Sequence, residues 1–128
     1  MRIPGPDHPI RIAPHPARVT VTAGGRRIAD SDQALTLTEA RYPPVLYLPR
    51  ADVDMDLLVA TATRTHCPYK GEAHYFALPG LGRDIGWSYP EPYPAMAAIA
   101  GHVAFYPDRV DAIALTPPAT APVPPAAP

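Results

Sequence analysis

The chain has 128 residues, close to the commonest domain size, so it has length for one hydrophobic core and no room for separate cofactor and substrate lobes. Apolar residues make up 47% and supply that core. Lys and Arg number 11 against 12 Asp and Glu, a formal net charge of -1, which argues against the basic face that a nucleic-acid partner requires.

Cys67 is the single cysteine, so no internal disulfide forms, and the close Cys and His pairs of a structural zinc site are absent. That pattern fits a reducing, cytoplasmic setting. The opening residues hold no apolar core of a signal peptide, and no apolar run reaches the roughly 18 residues of a membrane span, so neither export nor a membrane is expected.

The 20 prolines concentrate at the ends of the chain. Residues 1–16 read as a Pro-rich arm, residues 17–116 as a β domain, and residues 117–128 as a disordered Ala/Pro tail of polyproline character. Within the domain, Val19-Thr20-Val21-Thr22, the turn Gly24-Gly25 and Arg26 to Asp30 predict a β-hairpin. Leu35 to Glu39 alternates again, and Val45 to Leu48, fenced by Pro43, Pro44 and Pro49, predicts a further short strand.

Asp52-Val53-Asp54-Met55-Asp56-Leu57 reads as extended, with three carboxylates on one side and Val53, Met55 and Leu57 on the other. His74 to Leu78 and Asp84 to Tyr89 predict a strand pair around Pro79-Gly80. Pro94 to Gly101 combines helix formers with Pro at the entry and Gly at the exit, which predicts one short helix. Strand returns over His102 to Tyr106 and again over Arg109 to Leu115. About eight short strands and one helix predict a mainly β domain, a compact barrel or a two-sheet sandwich.

Several segments in order carry a family resemblance: Ile28-Ala29-Asp30-Ser31, Tyr42-Pro43-Pro44-Val45, Asp52-Val53 with Met55, Thr65 with Cys67-Pro68-Tyr69-Lys70-Gly71, Trp87 with Tyr89, and Val103 to Val110. Together they resemble the DUF427 family over about residues 17 to 112, and Pro4 to Ile10 resembles the arm of some of its members. The resemblance implies a small, mostly β domain with no established biochemical role. The family has also carried a nucleotidyltransferase label.

Nucleotidyl transfer needs carboxylates that hold a divalent metal against a triphosphate. The candidate set is Asp52, Asp54 and Asp56, with Arg50 upstream as a ligand-binding charge. Three acids on the polar face of an edge strand more often serve to block aggregation. Gly24-Gly25 is no phosphate loop, because no helix follows it.

His66-Cys67-Pro68-Tyr69-Lys70-Gly71-Glu72 is the segment densest in reactive groups. Basic neighbours favour a thiolate, so Cys67 is a candidate nucleophile with His66 assisting, and its alternative is a small buried hydrophobe at a turn. Lys70, alone among ten arginines, is a candidate anion partner or a Schiff-base and general-base amine. Glu39 at a strand end is a candidate partner for a Lys or Arg across a cleft, and its alternative, the commoner one, is a surface carboxylate. Trp87, Tyr89 and Tyr69 offer an aromatic wall and rim, and packing in the core is the alternative for Trp87. His8, His15, His74 and His102 are scattered and read as structural or surface residues.

The reading that joins these features is one pocket that binds a small molecule, an anion among the candidates, with turnover left open. The alternatives are a non-catalytic protein-interaction module and metal-dependent nucleotidyl transfer through the Asp52/Asp54/Asp56 face. Neither a cofactor nor an oligomeric state follows from the sequence.

Overall fold

The computed structural model of the chain describes residues 1–80 and 82–117. From Pro118 onward, the expected Ala/Pro tail lies outside the described residues. Ten strands follow the chain among these residues: β1 (Ile10–Pro14), β2 (Arg18–Ala23), β3 (Arg26–Ser31), β4 (Leu35–Glu39), β5 (Val45–Tyr47), β6 (Val59–Cys67), β7 (Gly71–Ala77), β8 (Asp84–Ser88), β9 (Val103–Phe105) and β10 (Ala112–Thr116). They pair in three sheets, ordered β1-β4-β5, β10-β2-β3 and β6-β7-β8-β9. The domain is mainly β, as expected, and its strand pairing closes no single barrel among the described residues.

Local sequence explains the β2–β3 hairpin. Val19, Val21 and Ala23 are buried while Thr20 and Thr22 face outward, the two-residue period of a half-buried strand. Gly24 and Gly25 then both adopt positive φ, +60° and +75°, which a tight turn matching the strand twist requires. Arg18 clamps the pair across the sheet, donating to both carboxylate oxygens of Asp30 at 2.7 and 2.8 Å.

The expected N-terminal arm contributes β1, which pairs with β4 from Ile10 opposite Glu39 to Pro14 opposite Leu35. Among the isolated bridges, Leu48 pairs with Val103 through reciprocal 2.8 Å backbone hydrogen bonds and joins the end of β5 to β9, while Ala29 of β3 pairs with Val53 in the segment after β5. One core cluster gathers Val21, Ile28, Leu48, Phe76, Ile85 and Phe105; a second gathers Leu37, Tyr47, Tyr75, Tyr89, Met96 and Ile99.

Three sequence expectations change in the structure. The Asp52–Leu57 segment is not a strand; it forms 3-10 turns at Arg50–Asp52 and Met55–Leu57 on either side of the Val53 bridge. The backbone of Asp54 donates to Ile28 O at 2.8 Å, and the following turn packs Met55 and Leu57 against the core next to buried Leu58, a grouping that strict alternation cannot produce. The three carboxylates therefore share no strand face. Asp52 accepts from the Ser31 hydroxyl at 2.6 Å, and among the described residues no group of three His, Cys, Asp or Glu side chains is placed to hold a metal.

The expected helix at residues 94–101 is a 3-10 segment, Pro94–Ile99, kinked at Met96. Its buried residues, Met96 and Ile99, stand three apart, the repeat of a 3-10 turn, and so short a segment gains little from helix propensity. Finally, β6 was not foreseen. Its nine residues are almost all exposed along a sheet edge, so no apolar alternation marks them.

Candidate functional site

The site is built around the β6–β7 turn. Cys67 pairs with Gly71 at the last rung of the hairpin, and Pro68, Tyr69 and Lys70 form the loop between them. Gly71 sits at φ +112°, a conformation side chains rarely tolerate, so the chain reverses sharply just after Lys70. Two backbone hydrogen bonds dock the turn: Tyr93 N donates to Lys70 O at 3.0 Å, and Arg2 N to Pro68 O at 2.6 Å.

The result is a buried lysine. Lys70 is 6% exposed, its ammonium donates to Glu39 Oε1, and its Nζ lies 3.9 Å from Cys67 Sγ. Glu39 ends β4, followed by Ala40 at φ +46°, whose N–H is tied to Pro9 O at 2.8 Å. His8 Nε2 meets the other Glu39 oxygen at 2.7 Å, and the His8 ring stacks on Tyr69 at 4.2 Å with the planes 8° apart. Glu39 thus bridges the N-terminal segment and the β6–β7 turn. Burial alone would raise its pKa, but the hydrogen bonds from Lys70 and His8 outweigh that and hold the carboxyl below its usual range.

Glu39, Cys67 and Lys70 line a cavity of about 710 Å³. Its walls are apolar, including Pro43, Pro44, Leu46, Trp87, Phe105 and Ile113, and Glu39 and Lys70 are its charged lining residues. The size lies within the range of small-molecule sites. Trp87 is held from behind: its indole N–H donates to Tyr47 Oη at 3.2 Å, its ring meets Tyr47 edge-on, and Tyr106 tilts against it at 4.6 Å. Burial pushes the Tyr47 hydroxyl well above its ordinary pKa, only partly countered by the Trp87 bond, so it remains a neutral partner. Arg109 covers the outer face of Tyr106 at 4.3 Å and donates to Asp84 O at 3.0 Å.

Of the residues singled out from sequence, Cys67, Lys70, Glu39 and Trp87 line this cavity together. Tyr69 stands behind it, stacked on His8. Tyr89 is buried in the second core cluster, and burial raises its hydroxyl pKa strongly, so it is no wet rim. His66 is exposed and reaches the Tyr93 hydroxyl at 3.4 Å. As neighbours on one strand, His66 and Cys67 point to opposite faces, so the strand does not bring the imidazole and the thiol together. Arg50 lies apart, its guanidinium 5.5 Å from the Phe76 ring centroid.

His8 and the prolines of the Tyr42–Val45 loop were missed as site residues. The signal for the loop was present in the Tyr42-Pro43-Pro44-Val45 motif. His8 carried none beyond its place in the Pro4–Ile10 arm, because it reaches Glu39 only through the β1–β4 pairing.

Among the described residues, no helix is long and apolar enough to cross a membrane. No curated protein matches the sequence. A family model described as a domain of unknown function, DUF427, matches residues 11–116, most of the chain and all of the cavity's lining. The chain therefore belongs to the DUF427 family.

Proposed function

We propose that the chain is a small-molecule-binding domain whose ligand lies in the Trp87 cavity with its polar head against Lys70. One observation carries this reading: the only lysine and the only tryptophan of the chain, with Glu39 and Cys67, line a single cavity whose remaining walls are apolar. A buried ammonium facing an apolar space is costly unless it serves something, and Glu39 compensates its charge without filling that space. Because Glu39 already meets that charge, the head group that fits best is a neutral hydrogen-bond acceptor, with an anion favoured less than the sequence implies. The unpaired Cys67 supports a reducing, cytoplasmic setting.

The reading is tested with the full chain by titrating small aromatic acceptors such as acetophenone while following Trp87 fluorescence and the melting temperature. Binding raises Tm by mass action and changes the emission of the one indole. No change in either signal for any aromatic acceptor at millimolar concentration contradicts it.

A further inference from the structure

We infer that the ligand of this cavity is a carbonyl compound with an apolar body, and that the ε-amine of Lys70 captures it as an imine. The inference rests on the binding reading above and names its ligand class. Three features of the geometry support it. First, the Lys70 ammonium carries three N–H donors; one goes to Glu39 and a weak one toward Cys67 Sγ at 3.9 Å, which leaves a charged donor for the cavity. Its natural complement is an acceptor with no proton and no charge of its own, a carbonyl oxygen, since a carboxylate would meet Glu39 on the same amine.

Second, the proton acceptor that amine chemistry needs is already in place. Glu39 Oε1 is hydrogen-bonded to Nζ, and Oε2 is held by His8 at 2.7 Å, which fixes the carboxylate where the proton leaves and returns. Third, the walls around Lys70 and Glu39 are largely apolar. A ligand that fills an apolar cavity brings the neutral amine and carboxylic acid closer in energy to the ion pair, the condition under which a buried lysine becomes a nucleophile.

The step balances within the site. Glu39 takes one proton from the ammonium, the freed nitrogen pair forms the C–N bond, and the C=O π pair moves onto oxygen, which takes the proton back from Glu39. A second N–H proton passes through Glu39 to that hydroxyl, the C–O bond breaks, and water leaves as the nitrogen pair closes the C=N bond. Ammonium and carbonyl become iminium and water, with Glu39 unchanged.

The test treats the folded full chain with benzaldehyde and sodium cyanoborohydride at neutral pH and maps the benzyl label by mass spectrometry. Lys70 is the only lysine, so its competitor is the α-amine of Met1. In ordinary surroundings the α-amine holds roughly two orders of magnitude more free base than a lysine and takes the label first. The expected result is labelling of Lys70 ahead of Met1 in the folded chain, with the order reversed in urea. Labelling of Met1 alone in the folded chain overturns the inference.

Glu39→Gln should slow the Lys70 label while sparing Met1. Should that variant fail to fold, the folded-against-urea comparison of the parent chain decides alone. Benzyl alcohol separates the two readings, because it has the same body and no carbonyl. A Tm rise with benzyl alcohol but no Lys70 label ends the imine inference and leaves the cavity as a binding site; no Tm rise with either compound ends both.

Discussion

Cys67 and Gly71 face each other across the last rung of the β6–β7 hairpin, and that rung turns the intervening Lys70 inward. A side chain at residue 71 would touch Glu91 O and Pro92 Cα only at 3.5 Å, an ordinary contact, so the need for glycine comes from φ +112° and not from crowding. Gly71→Ala should therefore cost about 1–3 kcal/mol of stability, the range for a residue forced into that region. Urea denaturation measures it, and a cost near zero would mean that the turn relaxes freely.

The Glu39 carboxylate is one contributor to the acid limb of stability. Its folded pKa is lowered by Lys70 and His8 against the opposing effect of burial, so its contribution is fully present above the ordinary carboxylate pKa and is lost as pH falls through the folded value. Stability should thus decline with acidification below the usual carboxylate range. Asp30, lowered by its hydrogen bond from Arg18, titrates in the same direction, so Glu39→Gln should flatten that limb only in part. At neutral pH the same substitution leaves buried Lys70 without its counter-charge and should cost about 3–5 kcal/mol, the order found when one partner of a buried pair is removed. Denaturation midpoints of parent and variant across pH check both statements.

Trp87 and Tyr47 form a pair suited to a double-mutant cycle. Tyr47→Phe leaves the indole N–H without its 3.2 Å acceptor and should cost about 1–2 kcal/mol. Trp87→Phe removes the donor and opens the cavity wall. The coupling free energy should be on the order of 1 kcal/mol, and a value indistinguishable from zero would mean that the bond does not hold Trp87 in place.

Gly86 precedes Trp87 on β8 and stands opposite Phe105 on β9. A Cβ there would lie 2.6 Å from Ala104 O and 3.0 Å from the Phe105 ring, too close for either strand to stay put. Gly86→Ala should destabilise by roughly 2–3 kcal/mol, an overpacking cost. It should also weaken ligand binding, because Trp87 and Phe105 are both cavity walls. Thermal melts with and without ligand separate the two effects.

How far the molecule can be read from its residues depends on what each signal measures. The β2–β3 hairpin was legible because burial alternation and the Gly24-Gly25 turn agree. Asp52–Leu57 shows the same alternation for another reason: two short turns, not a strand, bring its apolar residues to the core. β6 was invisible because an exposed edge strand has no burial to imprint on its sequence. The chemistry of Lys70, Cys67, Glu39 and Trp87 pointed to the site, since each is the kind of residue a pocket uses. The partnership of His8 with Glu39 spans 31 positions and exists only after β1 joins β4, so no local pattern encodes it.

The most direct measurement of the central claim is the alkylation rate of Cys67 in the folded chain. Cys67 is the only thiol and lines the cavity beside Lys70, so each labelled molecule reports on access to that one site. The account predicts labelling by iodoacetamide without denaturant, slowed several-fold by a saturating aromatic acceptor that also raises Tm. Labelling that begins only on unfolding would contradict it, because the thiol would then be sealed in packing and the cavity closed to any ligand.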